Sequence, residues 1–138
     1  KDLHAHHTAA RQPFVTSIGL CMLAARAYGL AILDGVHLDL DDAEGLEAQC
    51  QQGLEFGFDG KTLIHPKTLA VANSVFAPGN DKIEWSEKII AAFKVAEAEG
   101  KGVLLVDGQL IEALHVANAE RIVALATAIK DLESNLEN

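Results

Sequence analysis

Apolar and polar positions alternate along this chain in two rhythms, one of short apolar runs and one of longer helical stripes. From Ile18 to Tyr28 nearly every side is apolar, with Leu20, Cys21, Met22, Leu23 and Ala24 in succession. This predicts a helix covered on most sides, as helices of an α/β layer are. Thr16 and Ser17 offer N-caps and Gly29 a C-terminal stop. Leu30 to Val36 reads as a short buried strand closed by Asp34-Gly35. Asp41 or Asp42 caps the next helix, Ala43 to Phe56, which carries Glu44 and Glu47 in its first turn and ends at Gly57. Lys61 to Ile64 is a second short strand, and His65-Pro66 turns the chain into a helix with proline at its first position. Strand, helix, strand, helix in this order implies parallel strands joined by right-handed crossovers.

At Pro78-Gly79 the pattern changes, which marks a boundary between residues 1–77 and 78–138. Asp81 is placed to cap a long helix reaching Glu99, with Ile83, Ile89, Ile90, Phe93 and Val95 as its stripe and Gly100 and Gly102 as its stop. Val103 to Val106, Asp107-Gly108 and Gln109 to Ile111 form the pattern of a tight hairpin. A last helix runs from Glu112 to Leu132. There is no internal repeat and no low-complexity tract.

Composition fits this reading. The 138 residues are 49% hydrophobic and 22% charged, which suits a soluble globular domain. Folding a chain of this size buries roughly two thirds of its extended surface. Twenty acids against 11 bases give a formal charge of -9, which disfavours nucleic acid and anionic membranes as partners. An anionic small molecule is still possible, because a helix N-terminus and one or two bases suffice for a phosphate. Cys21 and Cys50 form no CxxC pair and are expected as buried free thiols in a reducing compartment. No apolar run reaches the ~20 residues of a membrane span. A start at Lys1 without a signal-peptide pattern leads us to expect a piece of a longer, cytoplasmic polypeptide.

Several constellations invite chemistry. His4, His6 and His7 lack a Cys or carboxylate set with ligand spacing, so a solvated loop is expected there. Asp39, Asp41, Asp42 and Glu44 resemble a calcium loop until Ala43 and Cys50 break the pattern, which leaves helix capping. Glu112 and His115 stand three apart on a helix, a spacing that chance supplies often. Asp34 is placed at the C-terminal end of a parallel strand, where α/β barrels carry their chemistry. The turn Gly60 to Pro66 combines a base, a strand end and a helix N-terminus, and so could hold a phosphate or adenine. Spacing alone favours an ordinary strand-to-helix turn, with His65 as cap and Lys61 in solvent. Asp107 suits a tight turn on conformational grounds alone.

Read together, Leu33-Asp34-Gly35-Val36, Asp41-Asp42-Ala43-Glu44-Gly45, the string from Gly57 through Phe58-Asp59-Gly60-Lys61-Thr62-Leu63-Ile64-His65-Pro66, Phe76-Ala77-Pro78 and Val106-Asp107-Gly108 resemble the malyl-CoA lyase and citrate lyase beta group in order and spacing. The string FDGKTLIHP is the most specific, and the resemblance covers essentially the whole chain. It implies an α/β fold: the last units of a TIM (β/α)8 barrel over 1–77, with Ala31 to Val36 and Lys61 to Ile64 as its seventh and eighth strands, then a small lid over 78–138. It also implies assembly as a trimer or hexamer.

The implied reaction is magnesium-dependent carbon–carbon cleavage of a CoA thioester such as malyl-CoA or citryl-CoA, releasing acetyl-CoA or a homologue and an oxo acid. In the family the magnesium is held by a Glu and an Asp on earlier strands, and neither has a match here, so no metal ligand is assigned. The resemblance makes Asp107 the acid–base carboxylate, reaching a neighbouring subunit's site. It lays Ile64, His65 and Pro66 along the CoA groove with Lys61 nearby, and puts Asp34 at the barrel mouth without a defined role. Alternatives are a malyl-CoA thioesterase of the same fold and a non-catalytic fragment that self-associates through its open strand edges. Alone, the 138 residues are expected to be inactive.

Overall fold

The computed structural model describes residues 4–136. The chain forms two compact units, Lys1–Phe76 and Ala77–Asn138.

In the first unit, Pro13 sits in a 3-10 turn, Gln12–Phe14, entered through Arg11 in the left-handed region at φ 52°. That turn feeds directly into α1 (Val15–Ala27), which therefore starts before the expected Ile18 and takes Thr16 and Ser17 into its body. Phe14 stands at the N-cap without a side-chain cap. Only Met22 and Ala25 of α1 are buried, while Leu20 and Leu23 are 63% and 70% exposed. The described residues of the unit thus do not supply the cover predicted for this helix. Cys21, expected to be buried, is exposed for the same reason, whereas Cys50 is 0% exposed.

β1 (Leu33–Asp34) and β2 (Gly60–Lys61) pair in parallel, with Leu33 opposite Gly60 and Asp34 opposite Lys61. Both are shorter than their apolar runs. Hydrogen bonds from Asp59 N to Ile32 O and from Thr62 N to Asp34 O, each 2.9 Å, continue the pairing at either end. Strands whose sequence suits burial on both faces form a two-stranded sheet among the described residues, so Leu30 and Leu33 remain exposed and the ladder stays short.

Between the strands runs α2 (Ala43–Phe56). Asp42 is its cap, its side chain accepting a 2.9 Å bond from Gly45 N, and Gly57 closes it at φ 93°. After β2, a 3-10 turn at Pro66–Thr68 leads into α3 (Leu69–Phe76). Leu46 and Cys50 of α2 pack on Ala72 of α3, with Leu63, Val71, Val75 and Phe76 around them.

The second unit begins with α4 (Asn80–Ala98), whose N-cap is Gly79 rather than Asp81. Asp81 lies inside the first turn, where its charge still favours the helix dipole. The buried stripe is Ser86, Ile89, Phe93 and Ala96, while Val95, expected on it, is exposed. Ser86 is tolerated there because its Oγ donates to Lys82 O at 2.7 Å.

β3 (Val103–Val106) and β4 (Gln109–Glu112) form the antiparallel hairpin, with Val106 opposite Gln109. α5 (Ala113–Leu136) follows. Ile89, Phe93, Val106, Ile111 and Ala119 make the core of the unit, flanked by Trp85, Ile90, Ala92, Leu104 and Val116.

Candidate functional site

The parallel register sets Asp34 beside Lys61, and their side chains are only 4% and 0% exposed. Lys61 Nζ donates to Asp34 Oδ2 at 3.0 Å, and Arg11 Nη1 donates to Oδ1 at 2.6 Å. α2 supplies the next layer. Arg11 Nε donates to Gln52 Oε1 at 2.6 Å, and Lys61 Nζ also approaches Gln49 Oε1 at 3.5 Å. Gln52 Nε2 in turn donates to Ala10 O at 2.8 Å, tying the chain entering α1 onto α2.

Burial by itself would push the Asp34 carboxyl up, but hydrogen bonds from Arg11 and Lys61, with their charges, outweigh it and hold the group below its ordinary value. Two cations and one anion thus share a buried site with an excess positive charge. Both Asp34 oxygens are engaged. Burial pushes the neighbouring Cys50 thiol up, opposed by the charge of Lys61, so the group stays a thiol.

Because the strands are parallel, the segments after Asp34 and after Lys61 leave from the same end of the pair. There Ile64 is exposed and His65 is extended, at φ -151° and ψ 139°. His65 Nδ1 accepts from Lys67 N at 3.1 Å, and Thr68 Oγ1 donates to His65 O at 2.6 Å. Lys67 pairs with Asp41, bridging the segment after β1 to this turn, and that contact lowers the Asp41 carboxyl through a hydrogen bond and charge. His37 follows β1 with a side chain 8% exposed, its Nε2 3.9 Å from Asp42 Oδ2 and neither ring nitrogen hydrogen-bonded.

In the second unit, Asp107 and Gly108 occupy the two-residue loop at φ 48° and 80°, as a type I′ turn requires. The Asp107 side chain is 60% exposed, and Lys88 Nζ lies 2.6 Å from its Oδ2. The same ammonium is 5.9 Å from the centre of the Trp85 ring.

The structure therefore joins two of the sequence-selected residues, Asp34 and Lys61, and sets His65, Ile64 and Pro66 at one turn. Lys61 is buried, not in solvent. Arg11, Gln49, Gln52, His37 and Lys88 were missed. A buried carboxylate demands cationic partners, but nothing in the local pattern says which distant base supplies them. Of the alternative constellations, His4, His6 and His7 are exposed, and Asp39 Oδ1 accepts from Asp41 N at 3.1 Å within its loop. His115 Nδ1 accepts from Glu112 N at 3.0 Å, which makes it a local cap.

Among the described residues no three His, Cys, Asp or Glu side chains converge on a common point. With Asp34 fully committed to Arg11 and Lys61, the donors present do not fit a magnesium ion.

Three comparisons bear on this arrangement. Residues 1–66 match the family described as HpcH/HpaI aldolase/citrate lyase. A (3S)-malyl-CoA thioesterase of Cereibacter sphaeroides is 49% identical over 129 residues, covering 94% of this chain and 45% of the relative. The mitochondrial citramalyl-CoA lyase of Homo sapiens is 40% identical over 110 residues, covering 80% of this chain and 32% of the relative. The chain thus spans less than half the length of these relatives. A solved structure of CitE from Mycobacterium tuberculosis, in complex with magnesium, acetoacetate and coenzyme A, superposes with a TM-score of 0.67 at 29% identity, over 92% of this chain and 45% of that one. By sequence and by fold, this α/β chain matches the citrate lyase beta-like group of the HpcH/HpaI aldolase/citrate lyase relatives.

Proposed function

We propose that this chain is the C-terminal part of a carbon–carbon lyase acting on CoA thioesters of the malyl-CoA or citryl-CoA type. In this reading 1–77 are the last units of a (β/α)8 barrel and 78–138 its lid. Asp107 carries the proposal: an exposed carboxylate at the tip of a turn whose hairpin is anchored in the core by Val106 and Ile111.

Cleavage leaves the electron pair of the broken bond on the carbon next to the thioester carbonyl. That carbon takes a proton from the Asp107 carboxyl group. The proton that the substrate hydroxyl loses as it becomes the carbonyl of the oxo acid passes to solvent, from which the exposed Asp107 is reprotonated. Ile64, His65 and Pro66 line the CoA groove, with backbone contacts dominating. Lys61 and Asp34 underpin that turn from below, since their charges are spent on each other and on Arg11. Any magnesium the whole enzyme uses is held by residues outside this chain. Asp107 serves a neighbouring subunit, so the whole protein works as a trimer or hexamer, and the 138 residues alone do not turn over.

The 49% identity to a (3S)-malyl-CoA thioesterase favours a second reading, in which water attacks the thioester carbonyl and the CoA thiolate leaves. Product analysis separates the two. The full-length polypeptide bearing this sequence is given malyl-CoA: acetyl-CoA with glyoxylate supports the lyase, and free malate with CoA supports the thioesterase.

A further inference from the structure

We infer that Lys88 is a positioning residue for Asp107, taking its Oδ2 and leaving Oδ1 as the oxygen that exchanges a proton with the thioester's carbon. The inference rests on the acid–base reading of Asp107 proposed above.

Both residues are fixed at their backbones. Lys88 precedes Ile89 on α4, Asp107 follows Val106 on β3, and Ile89 and Val106 are buried in one core cluster. The left-handed backbone of Asp107 is set by the two-residue loop, so only its side-chain torsions remain to be chosen. Lys88 chooses them, with Nζ 2.6 Å from Oδ2. Its ammonium is also attracted by the Trp85 ring one helical turn earlier, whose centre is 5.9 Å from Nζ. Among the described residues, Lys88 is the one ionic partner of Asp107, and Oδ1 accepts no hydrogen bond.

The pair is not there for folding. With the two side chains 53% and 60% exposed, water competes for both charges, and such a pair contributes little stability. Its consequence is geometric: one oxygen is held by Lys88, and the other is left without a hydrogen-bond donor among the described residues. When an opposing surface excludes water, the attraction strengthens and the choice of oxygen becomes firmer.

The test follows the proton. The full-length polypeptide bearing this sequence is incubated with acetyl-CoA in D2O, and exchange of the acetyl hydrogens is followed by NMR beside kcat and KM for malyl-CoA. In Lys88→Met, exchange and kcat fall on the order of tenfold while KM is unchanged, as misplacement of a proton-transfer group demands. Lys88→Arg recovers most of the loss. Adding Lys88→Met to Asp107→Asn costs nothing further, because Lys88 acts through that carboxylate. Exchange at the full rate in Lys88→Met, with Asp107→Asn dead, overturns the role of Lys88 and leaves that of Asp107 standing. Full exchange in Asp107→Asn, or none in the unaltered protein, overturns the proposed function and the positioning role with it.

Discussion

Asp34 and Lys61 are partners across a parallel ladder, 3.0 Å apart and both buried, and Arg11 closes the other side of the same carboxylate at 2.6 Å. The pair is asymmetric in what its loss exposes. Asp34→Ala leaves the buried Lys61 and the half-buried Arg11 unopposed and is expected to destabilise the first unit by about 3–5 kcal/mol. Lys61→Met leaves Asp34 still paired with Arg11 and should cost clearly less. Urea unfolding of the two variants, monitored by far-ultraviolet circular dichroism, measures the order.

The same carboxylate sets an acid limit. Its folded-state pKa is lowered, so the unfolded chain binds the proton more readily, and stability rises with pH across the window between the two values. The contribution is complete above the ordinary carboxylate range, about pH 4, and is lost as pH falls from there through the folded value. Asp41 adds to the slope with the same sign through Lys67. Unfolding curves collected from pH 6 to pH 2 should flatten at the acid end in Asp34→Asn relative to Lys67→Met. Equal slopes in the two variants would contradict the assignment.

Gly53 is the reason α2 can lie so near this cluster. A Cβ there would stand 3.2 Å from Asp34 Oδ2 and 3.5 Å from Phe76 Cζ. Alanine at an ordinary helical site gains about 1 kcal/mol over glycine. Asp34 cannot give way while Arg11 and Lys61 hold it, so overpacking of about 1–3 kcal/mol outweighs that gain. Gly53→Ala should lower the melting temperature, and it should do so less in an Asp34→Ala background.

The features legible in the sequence were those decided locally. Gly57 at φ 93°, the Asp42 cap and the Asp107-Gly108 turn follow from backbone preferences of single residues, and each stands where the pattern put it. What failed was whatever depended on distant cover. Cys21 and Leu23 read as buried because their helix is apolar all round, yet the described unit supplies no element to cover that face. Val95 was expected on the buried stripe of α4 and is exposed, while Ser86, no part of that expectation, is buried, since the stripe is chosen by α5 and the hairpin packed on it. Arg11 could not be found from spacing, because 23 residues separate it from Asp34.

The Asp107 turn allows function to be separated from fold. Asparagine tolerates the left-handed backbone at φ 48°, so Asp107→Asn should leave unfolding free energy within about 0.5 kcal/mol of the parent. Gly108→Ala places a Cβ on a residue at φ 80° and should cost about 1 kcal/mol or more. If Asp107→Asn unfolds as readily as Gly108→Ala, the aspartate is a turn residue first, and any loss of turnover in it says nothing about proton transfer.

The apolar surface of the first unit predicts how the isolated chain behaves. Leu20, Leu23, Leu30, Leu33 and Leu38 are all exposed, and β1 and β2 form a two-stranded sheet with open edges. Apolar surface left in water is worth about 25 cal/mol per Å² once covered, and open strand edges offer ready hydrogen bonds to another chain. The 138 residues on their own are therefore expected to associate, with weight-average mass rising with concentration in sedimentation equilibrium. Leu20→Lys together with Leu23→Lys, both outside the core of the unit, should shift the distribution towards 14.7 kDa without changing the circular dichroism spectrum. A parent chain that stays at 14.7 kDa over a hundredfold concentration range would show that this face needs no cover.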